Sequence, residues 1–237
     1  MDTDYIARLY DDAYASTYDA KFLEAPSLHA DALHELTLLE ELLADGRSWL
    51  DVACGTGWFL SRFETNERAG MDVSPAMLRK ARLANPRIPL LLHDFTKPLP
   101  AYEGRFGLVS CMWYAYGLVD TIDDAVRVIH NLWSWAASDG ACFVPLADPE
   151  LIAGATLRRW YPYGAADRVE LDALVWSFVE SDGKTHRHQI APLVPFMTES
   201  FEAYFEEVEV VRYPPVVEGE PGRPAIMARG KKRLRET

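Results

Sequence analysis

The chain has 237 residues and a formal net charge of −12, and nearly half of its residues are hydrophobic. This length is enough for one well-buried α/β domain with a small insertion. The acidic balance argues against a DNA or RNA partner, because a negative surface repels phosphate backbones. No apolar run approaches the ~20 residues that span a bilayer, and the acidic N-terminus is unlike a signal peptide. We therefore expect a cytoplasmic protein without a membrane partner, and a homodimer stays open.

Apolar segments and amphipathic segments alternate along the first two thirds of the chain. Helices are predicted over about 4–20 and 27–44, followed by strand SWLDVAC, helix WFLSRFETN and strand AGMDV. A helix then begins at Ser74-Pro75, since serine is a favoured N-cap and proline a favoured first residue. Strands IPLLLHDF and FGLVSCMW, helix DDAVRVIHNLWSWAA and strand ACFVPLA follow. This order predicts an α/β fold with a doubly wound, Rossmann-like parallel sheet.

The last third has a different pattern, in which two strand-like runs flank Asp182-Gly183, a favoured hairpin turn. The short helix TESFEAYFEE then leads to strands VEVVRYP and AIMARG. We expect one domain over 1–237 with four parts. These are an N-terminal helical lid at 1–46, a ligand-binding core at 47–147, an inserted substrate-covering hairpin region at 148–197, and a C-terminal helix and strands at 198–237.

The segment LDVACGTGWF occupies the first strand-to-helix turn. Glycines at such a turn let the backbone approach a ligand, and a following helix N-terminus would offer unpaired N–H groups. The GxGxxG pattern of dinucleotide enzymes is incomplete, because Leu60 stands where the third glycine belongs. Asp51, inside the strand end, suits a cationic, amine-bearing ligand better than a pyrophosphate.

Two further carboxylates follow the next two predicted strands. Asp72 ends the second strand, about 20 residues after the glycine turn, where an acid accepts hydrogen bonds from ribose hydroxyls. Asp94 ends the third strand and is placed to accept from an adenine amino group, with Phe95 as an apolar edge for the ring. Three carboxylates at three consecutive strand ends predict one ligand site.

DVACGTG, GMDVSPAMLRKAR, HDF and FGLVSCMW together resemble the successive motifs of class I S-adenosylmethionine (SAM)-dependent methyltransferases. The resemblance implies SAM as cofactor, S-adenosylhomocysteine (SAH) as product, and a seven-stranded sheet with an antiparallel last strand and an inserted hairpin. It also implies that the cofactor-binding residues are Asp51, Ala53, Gly55, Gly57, Asp72, Val73, Met77, Asp94, Phe95 and Met112. Cys54, within the glycine turn, and Tyr14 are further cofactor-binding candidates.

A second resemblance is to the bacterial N,N-dimethyltransferases of nucleotide-linked amino sugars, and it rests on LYDDAY, DVACGTG and SCMW. It implies that Tyr14 folds over the site. That subfamily has a histidine several residues after the CM pair, where this chain has Tyr116, Gly117 and Leu118.

Aromatic residues after the fourth strand are candidates for the acceptor wall, or for core packing. The substrate-binding candidates are Trp113, Tyr114, Tyr116 and Trp160. Tyr14 and His188 are the catalytic candidates, although Tyr10, Tyr14 and Tyr18 also fit a packed helix face and the hairpin histidines a solvated strand face. His186 and His188 have no carboxylate at metal-ligand spacing, so no metal is expected.

The expected function is SAM-dependent methyl transfer to a small molecule. An amine nitrogen is the expected acceptor, because an amine needs only to be deprotonated and desolvated whereas a hydroxyl or carbon acid needs a base. An O- or C-methyltransferase of a phenolic or polyketide-like product is one alternative. A non-catalytic SAM-binding regulator is another.

Overall fold

The computed structural model describes residues 2–154, 171–215, 219 and 221–234. The strands of this part are β1 Trp49–Val52, β2 Arg68–Asp72, β3 Leu90–Leu92, β4 Phe106–Cys111, β5 Ala136–Pro145, β6 Ala173–Val179, β7 Thr185–Pro192, β8 Phe205–Arg212 and β9 Pro224–Lys231. Seven of them form a sheet of order β3-β2-β1-β4-β5-β9-β8, and β6 pairs with β7. Strands β1 to β5 are parallel, whereas β9 runs antiparallel to β5 and β8. The predicted fold class is therefore confirmed.

The helices are α1 Thr3–Leu9, α2 Asp12–Tyr18, α3 Pro26–Leu43, α4 Pro75–Ala84, α5 Ile122–Trp135, α6 Pro149–Ala153 and α7 Val194–Glu202. None in the described ranges is long and apolar enough to cross a membrane. The predicted start of α4 is confirmed, because Ser74 Oγ accepts a hydrogen bond from the Met77 N–H at 3.1 Å. The predicted helix over 4–20 is divided into α1 and α2, since Asp11 caps a new helix by accepting from the Tyr14 N–H.

The helix predicted directly after β1 is wrong, because only a 3₁₀ turn, Leu60–Arg62, forms there. Side chains in this segment bond the backbone in place of a helical ladder. Ser61 Oγ donates to the Trp58 carbonyl at 2.8 Å, and Asn66 Nδ2 reaches back to the Leu43 carbonyl at 3.2 Å. The turn at Gly55–Gly57 is therefore not followed by the open α-helix N-terminus that the sequence suggested.

Successive side chains of the short central strands point to opposite faces of the sheet, so the hydrophobic core has two parts, one on each face. Leu50 and Val52 of β1 pack on the α5 side with Val128 and Leu132. Trp49 points the other way and packs on the α3 and α4 side. Asp51 shares that second face, which directs its carboxyl toward the N-terminal helices and away from α5.

Candidate functional site

A cavity lies at the carboxyl ends of the central strands, beneath α1 and α2. Ten residues predicted to bind cofactor or acceptor line it: Asp51, Ala53, Cys54, Gly55, Asp72, Val73, Met77, Phe95, Met112 and Trp113. Sequence reasoning missed others: Ile6, Tyr10, Tyr18, Leu23, Thr56, Trp58, Phe59, Ala115 and Leu118. The open sheet therefore places its pocket where ligands bind in this class of fold.

Asp51 is held at the floor of this cavity by a buried hydrogen-bond chain. The Trp49 indole N–H donates to Ser110 Oγ at 2.9 Å, and the Ser110 hydroxyl donates to Asp51 Oδ1 at 2.7 Å. Burial raises the pKa of Asp51 to about 7, while the Ser110 bond opposes that rise and the nearby Asp72 adds to it. The carboxylate is thus oriented, and a cationic ligand group would favour its ionised form.

Asp72 ties the glycine turn to the start of α4. Its Oδ2 accepts from the Gly55 N–H at 2.8 Å, and its Oδ1 accepts from the Ser74 N–H at 2.8 Å. Burial raises the pKa of Asp72 to about 6, and the backbone hydrogen bonds partly offset that rise. An ionised carboxylate has about four lone-pair sites, so Asp72 keeps acceptor capacity for a ligand hydroxyl.

The two glycines of the turn have different roles. Both lie in the left-handed region, with φ of 54° at Gly55 and 71° at Gly57. A Cβ at Gly55 would meet no protein atom within 4 Å, whereas a Cβ at Gly57 would lie 2.6 Å from Asn85 Nδ2. Gly57 thus packs against α4 and lies outside the cavity lining, and its predicted contact with the cofactor stays a prediction.

Asp94 also lies outside the lining, and its contact with an adenine stays a prediction. Its Oδ1 accepts from the Thr96 N–H at 2.9 Å and from the Thr96 hydroxyl at 2.7 Å. A carboxylate that closes its own loop in this way stabilises the turn after β3. Phe95, by contrast, is buried and lines the cavity.

The tyrosines at helical spacing in the N-terminal segment, which we call the tyrosine stripe, cover the cavity, but not all of them face it. Tyr10 and Tyr18 line the cavity, whereas Tyr14 does not. The Tyr14 hydroxyl instead donates to Glu180 and lies 3.1 Å from His186 Nε2. Tyr14 is thus the member of the stripe that faces the hairpin, because helical spacing identifies a shared face without saying which member points inward, and its contact with the cofactor stays a prediction.

The two histidines of the hairpin differ in burial. His188, the predicted catalytic residue, is exposed and has φ of 57°. His186 is buried, and its Nε2 lies 2.5 Å from Glu180 Oε1. A register shift between Trp176 and Phe178 breaks the regular alternation that would have put both histidines on one side. The Glu180 partner was missed, although its position beside the Asp182-Gly183 turn is the signal that could have found it.

The aromatic residues after β4 are not equivalent. Trp113 lines the cavity, whereas Tyr116 is buried and its hydroxyl accepts from the Ala147 N–H at 3.0 Å, which makes it a core residue. Tyr114 lies outside the lining and beside Arg223. Trp160 lies outside the described residues.

Gly117, one of the three residues at the place of the subfamily's histidine, lies against the backbone of the hairpin. A Cβ at this position would lie 2.5 Å from the Ile190 carbonyl oxygen of β7. This distance is too short for any side chain, because the clashing atom belongs to backbone. The hairpin therefore approaches the turn after β4 more closely than a histidine at this position would allow.

Comparisons with known proteins show what the central part of the chain resembles. Residues 50–140 match the family model described as a methyltransferase domain. The dTDP-4-amino-2,3,4,6-tetradeoxy-D-glucose N,N-dimethyltransferase of Saccharopolyspora spinosa is 30% identical over 142 residues. That alignment covers 57% of this chain and 55% of the relative, so the chain spans about half the length of the curated relative it matches.

Solved structures agree on the fold. The DhpI–SAH complex has a TM-score of 0.65 at 18% identity and covers 98% of each chain. CalS10, an amino pentose methyltransferase from Micromonospora echinaspora, has a TM-score of 0.60 at 20% identity, over 93% of this chain and 98% of that one.

The sheet order, the cavity at its carboxyl edge and these matches define a class I methyltransferase fold. Residues 50–140 match the model of a methyltransferase domain, and the resemblance to class I SAM-dependent enzymes with amino-sugar relatives is confirmed.

Proposed function

We propose that this chain is a SAM-dependent methyltransferase that methylates an amine of a small molecule. The observation that carries the proposal is the pair of buried carboxyls, Asp51 and Asp72, that face one cavity at adjacent strand ends. Burial disfavours their charged forms, so a ligand with an ammonium group and hydroxyl donors would stabilise them. SAM has both groups.

The remaining lining residues also fit SAM. Gly55 offers an open approach for a ligand, because no protein atom occupies the place of a Cβ there. Val73, Met77 and Phe95 supply apolar surface suited to a purine ring. When bound, SAM would supply an activated methyl group on its sulfonium. The residues of this chain would bind and orient that cofactor and exclude water around it, and positioning alone contributes several kcal/mol to such displacements.

With Asp51 and Asp72 assigned to the cofactor, the remaining titratable groups around the cavity support an amine acceptor. Tyr10 and Tyr18 are the phenols that line it, and burial raises the pKa of both well above the usual value of a tyrosine, so they stay protonated. No histidine belongs to the lining in the described part of the chain. A hydroxyl acceptor needs a base in the transition state, whereas an amine attacks once it is deprotonated and desolvated.

The relatives narrow the acceptors to be tested first. The Saccharopolyspora spinosa enzyme is named for a dTDP-linked 4-amino sugar, and CalS10 for an amino pentose. A nucleotide-linked amino sugar is therefore our first candidate acceptor for this chain. Trp113 and Tyr18 would place aromatic faces near the methylated nitrogen, where cation–π attraction favours positive charge.

The test combines calorimetry with turnover. We expect SAH to bind the purified chain, and SAM with dTDP-4-amino-2,3,4,6-tetradeoxy-D-glucose to give a product heavier by one or two methylene units in mass spectrometry. Glu41→Gln, an exposed change on α3, is the control that should behave like wild type. Turnover with phenols and not with amines would favour the O-methyltransferase alternative. SAH binding without turnover of any acceptor would favour the regulator, and a folded chain that binds neither SAM nor SAH would refute the proposal.

A further inference from the structure

A buried carboxylate that serves no proposed cofactor contact lies at the tip of the hairpin. Glu180 follows β6 and is only 5% exposed, although carboxylates are rarely buried unless they are paired. It lies outside the cavity lining. Side chains from three different elements contact its carboxyl group: Tyr14 of α2, Lys21 of the π-helical turn Asp19–Leu23, and His186 of β7. Glu180 therefore joins the hairpin to the N-terminal segment, residues 3–23.

Other contacts between the hairpin and the N-terminal segment lie on either side of this carboxylate. The Lys184 ammonium donates to the Leu9 carbonyl at the end of α1 and lies 3.6 Å from the centroid of the Tyr14 ring. A cation above an aromatic face is attracted by the ring. The Arg187 N–H donates to the Tyr5 hydroxyl at 3.3 Å. The hairpin therefore holds α1, α2 and the π-helical turn at the same time.

The N-terminal segment is also the part of the chain that covers the cavity. It supplies the lining residues Ile6, Tyr10, Tyr18 and Leu23. The Tyr14 ring packs against the rings of Tyr10 and Tyr18, with centroids 5.4 Å and 5.9 Å away. Beneath this cover, Asp51 is 1% exposed and Phe95 is 2% exposed. A ligand of the size of SAM therefore needs the cover to move before it reaches the floor of the cavity.

The segment has a second attachment, to α4, whose charge pair is exposed. Ser74 Oγ donates to the Tyr10 carbonyl at 2.6 Å, which fixes the junction between α1 and α2. The Arg79 guanidinium pairs with Asp12 at 2.6 Å, but these side chains are 56% and 73% exposed, and exposed ion pairs contribute little to stability. The Glu180 side chain is 1% exposed, and hydrogen bonds to a buried charge are costly to break. The Glu180 attachment is therefore the stronger of the two charge pairs.

We propose that the N-terminal segment is a lid and that Glu180 is the positioning residue that holds it closed, so that release of Glu180 sets how fast a ligand enters and leaves the cavity. This inference rests on the proposed function for the identity of the ligand, whereas the closing of the segment does not depend on it. Because Glu180 lies outside the lining, it would act on a ligand only through the segment. Loss of its charge should raise the association and dissociation rates by the same factor and leave the equilibrium affinity unchanged.

The first readout is amide hydrogen exchange of the free chain, which needs no ligand. Glu180→Gln keeps the shape of the side chain and an oxygen for Tyr14, but it removes the charge that pairs with Lys21. Helices α1 and α2 have seven residues each, and helices this short are not stable without packing. Release of the segment should therefore expose its amides, and their exchange should become about 10- to 150-fold faster, the factor for one hydrogen bond to a charged group.

Asp182→Asn is the matched control for this measurement. Asp182 pairs with the same Lys21 at 3.1 Å, but its side chain is 60% exposed. The substitution keeps a favoured hairpin turn, because Asn-Gly and Asp-Gly both suit it. The exchange of residues 3–23 in Asp182→Asn should therefore match that of wild type.

The second readout is stopped-flow binding of SAH, followed by the fluorescence of the lining residues Trp58 and Trp113. Both rate constants of Glu180→Gln should exceed those of wild type by the factor seen in the exchange. Calorimetry should give an unchanged Kd for SAH, which a general loss of structure would not produce. Asp182→Asn should keep the wild-type rates.

Wild-type exchange and wild-type binding rates in Glu180→Gln would overturn the proposal. A weaker affinity with an unchanged association rate would also overturn it, because Glu180 would then stabilise the bound cofactor and not the closed lid. If Glu180→Gln does not fold, Lys21→Gln breaks the same ion pair from its more exposed side and decides by the same criteria. A folded wild type that does not bind SAH would refute the proposed function, and the exchange result would then decide alone whether Glu180 closes the segment.

Discussion

Asp72→Asn is the substitution whose consequence follows most directly from the geometry. The carboxylate accepts one hydrogen bond at each oxygen, from the Gly55 N–H and from the Ser74 N–H, both at 2.8 Å. The amide keeps one oxygen and turns an NH₂ group toward the other N–H. One hydrogen bond to a charged acceptor is lost, which is worth about 1.5–3 kcal/mol.

The expected losses can be measured separately. A chain of this size loses about 2–4 °C of Tm per kcal/mol, so differential scanning fluorimetry should show a Tm lower by about 3–12 °C. Isothermal titration calorimetry should show SAH binding weakened by about 10- to 150-fold if the lost charge also served the ribose.

Asp94→Asn is the matched control for this prediction. Asp94 bonds to Thr96 within its own loop and lies outside the cavity lining, so SAH affinity should not change. Equal affinity for SAH in Asp72→Asn and wild type would refute the assignment of Asp72 to the ligand. A loss in Asp94→Asn as large as in Asp72→Asn would restore the adenine contact predicted from the sequence.

Three other predictions concern the turn, the pH dependence and the tyrosine stripe. Gly57→Ala should lower Tm with little effect on SAH affinity, because its Cβ would lie 3.1 Å from Ala81 Cβ of α4. Gly55→Ala should weaken SAH binding, because Gly55 lines the cavity, and its smaller loss of Tm should reflect the left-handed backbone alone. SAH affinity should rise about tenfold from pH 6 to pH 8, because the ionised fraction of Asp51, whose pKa is about 7, rises from about a tenth to about nine tenths. In calorimetry, the affinity of Asp51→Asn for SAH should not depend on pH in this way. Tyr14→Phe should lower Tm by about 2–10 °C, because buried Glu180 loses a donor, while SAH affinity stays unchanged; a large loss of affinity would return Tyr14 to the cofactor site.

The architecture of the core could be predicted from the sequence because its determinants are local. Strand and helix periodicities, and the capping serine before Pro75, act over a few residues and specify an α/β sheet. Parallel strands then bring their carboxyl ends to one edge, so Asp51 and Asp72 were placed together by topology alone. The same reasoning did not foresee the local bonds of Asp94, whose carboxylate accepts from Thr96 of its own loop.

The orientation of side chains on the covering elements was decided only by tertiary packing. A helical stripe of tyrosines and an alternating pair of histidines each leave two choices of inward member. The contact of α2 with the hairpin turned Tyr14 toward Glu180, and the register shift in the hairpin buried His186 in preference to His188. Likewise, the approach of Gly57 to α4 and the buried hydrogen bond from Tyr213 to Glu35 depend on residues far apart in the chain. The sequence alone determined which ends of the strands carry the site, because that follows from chain direction. Which side chains of the covering helices and hairpin face the cavity depended on how these separate elements pack.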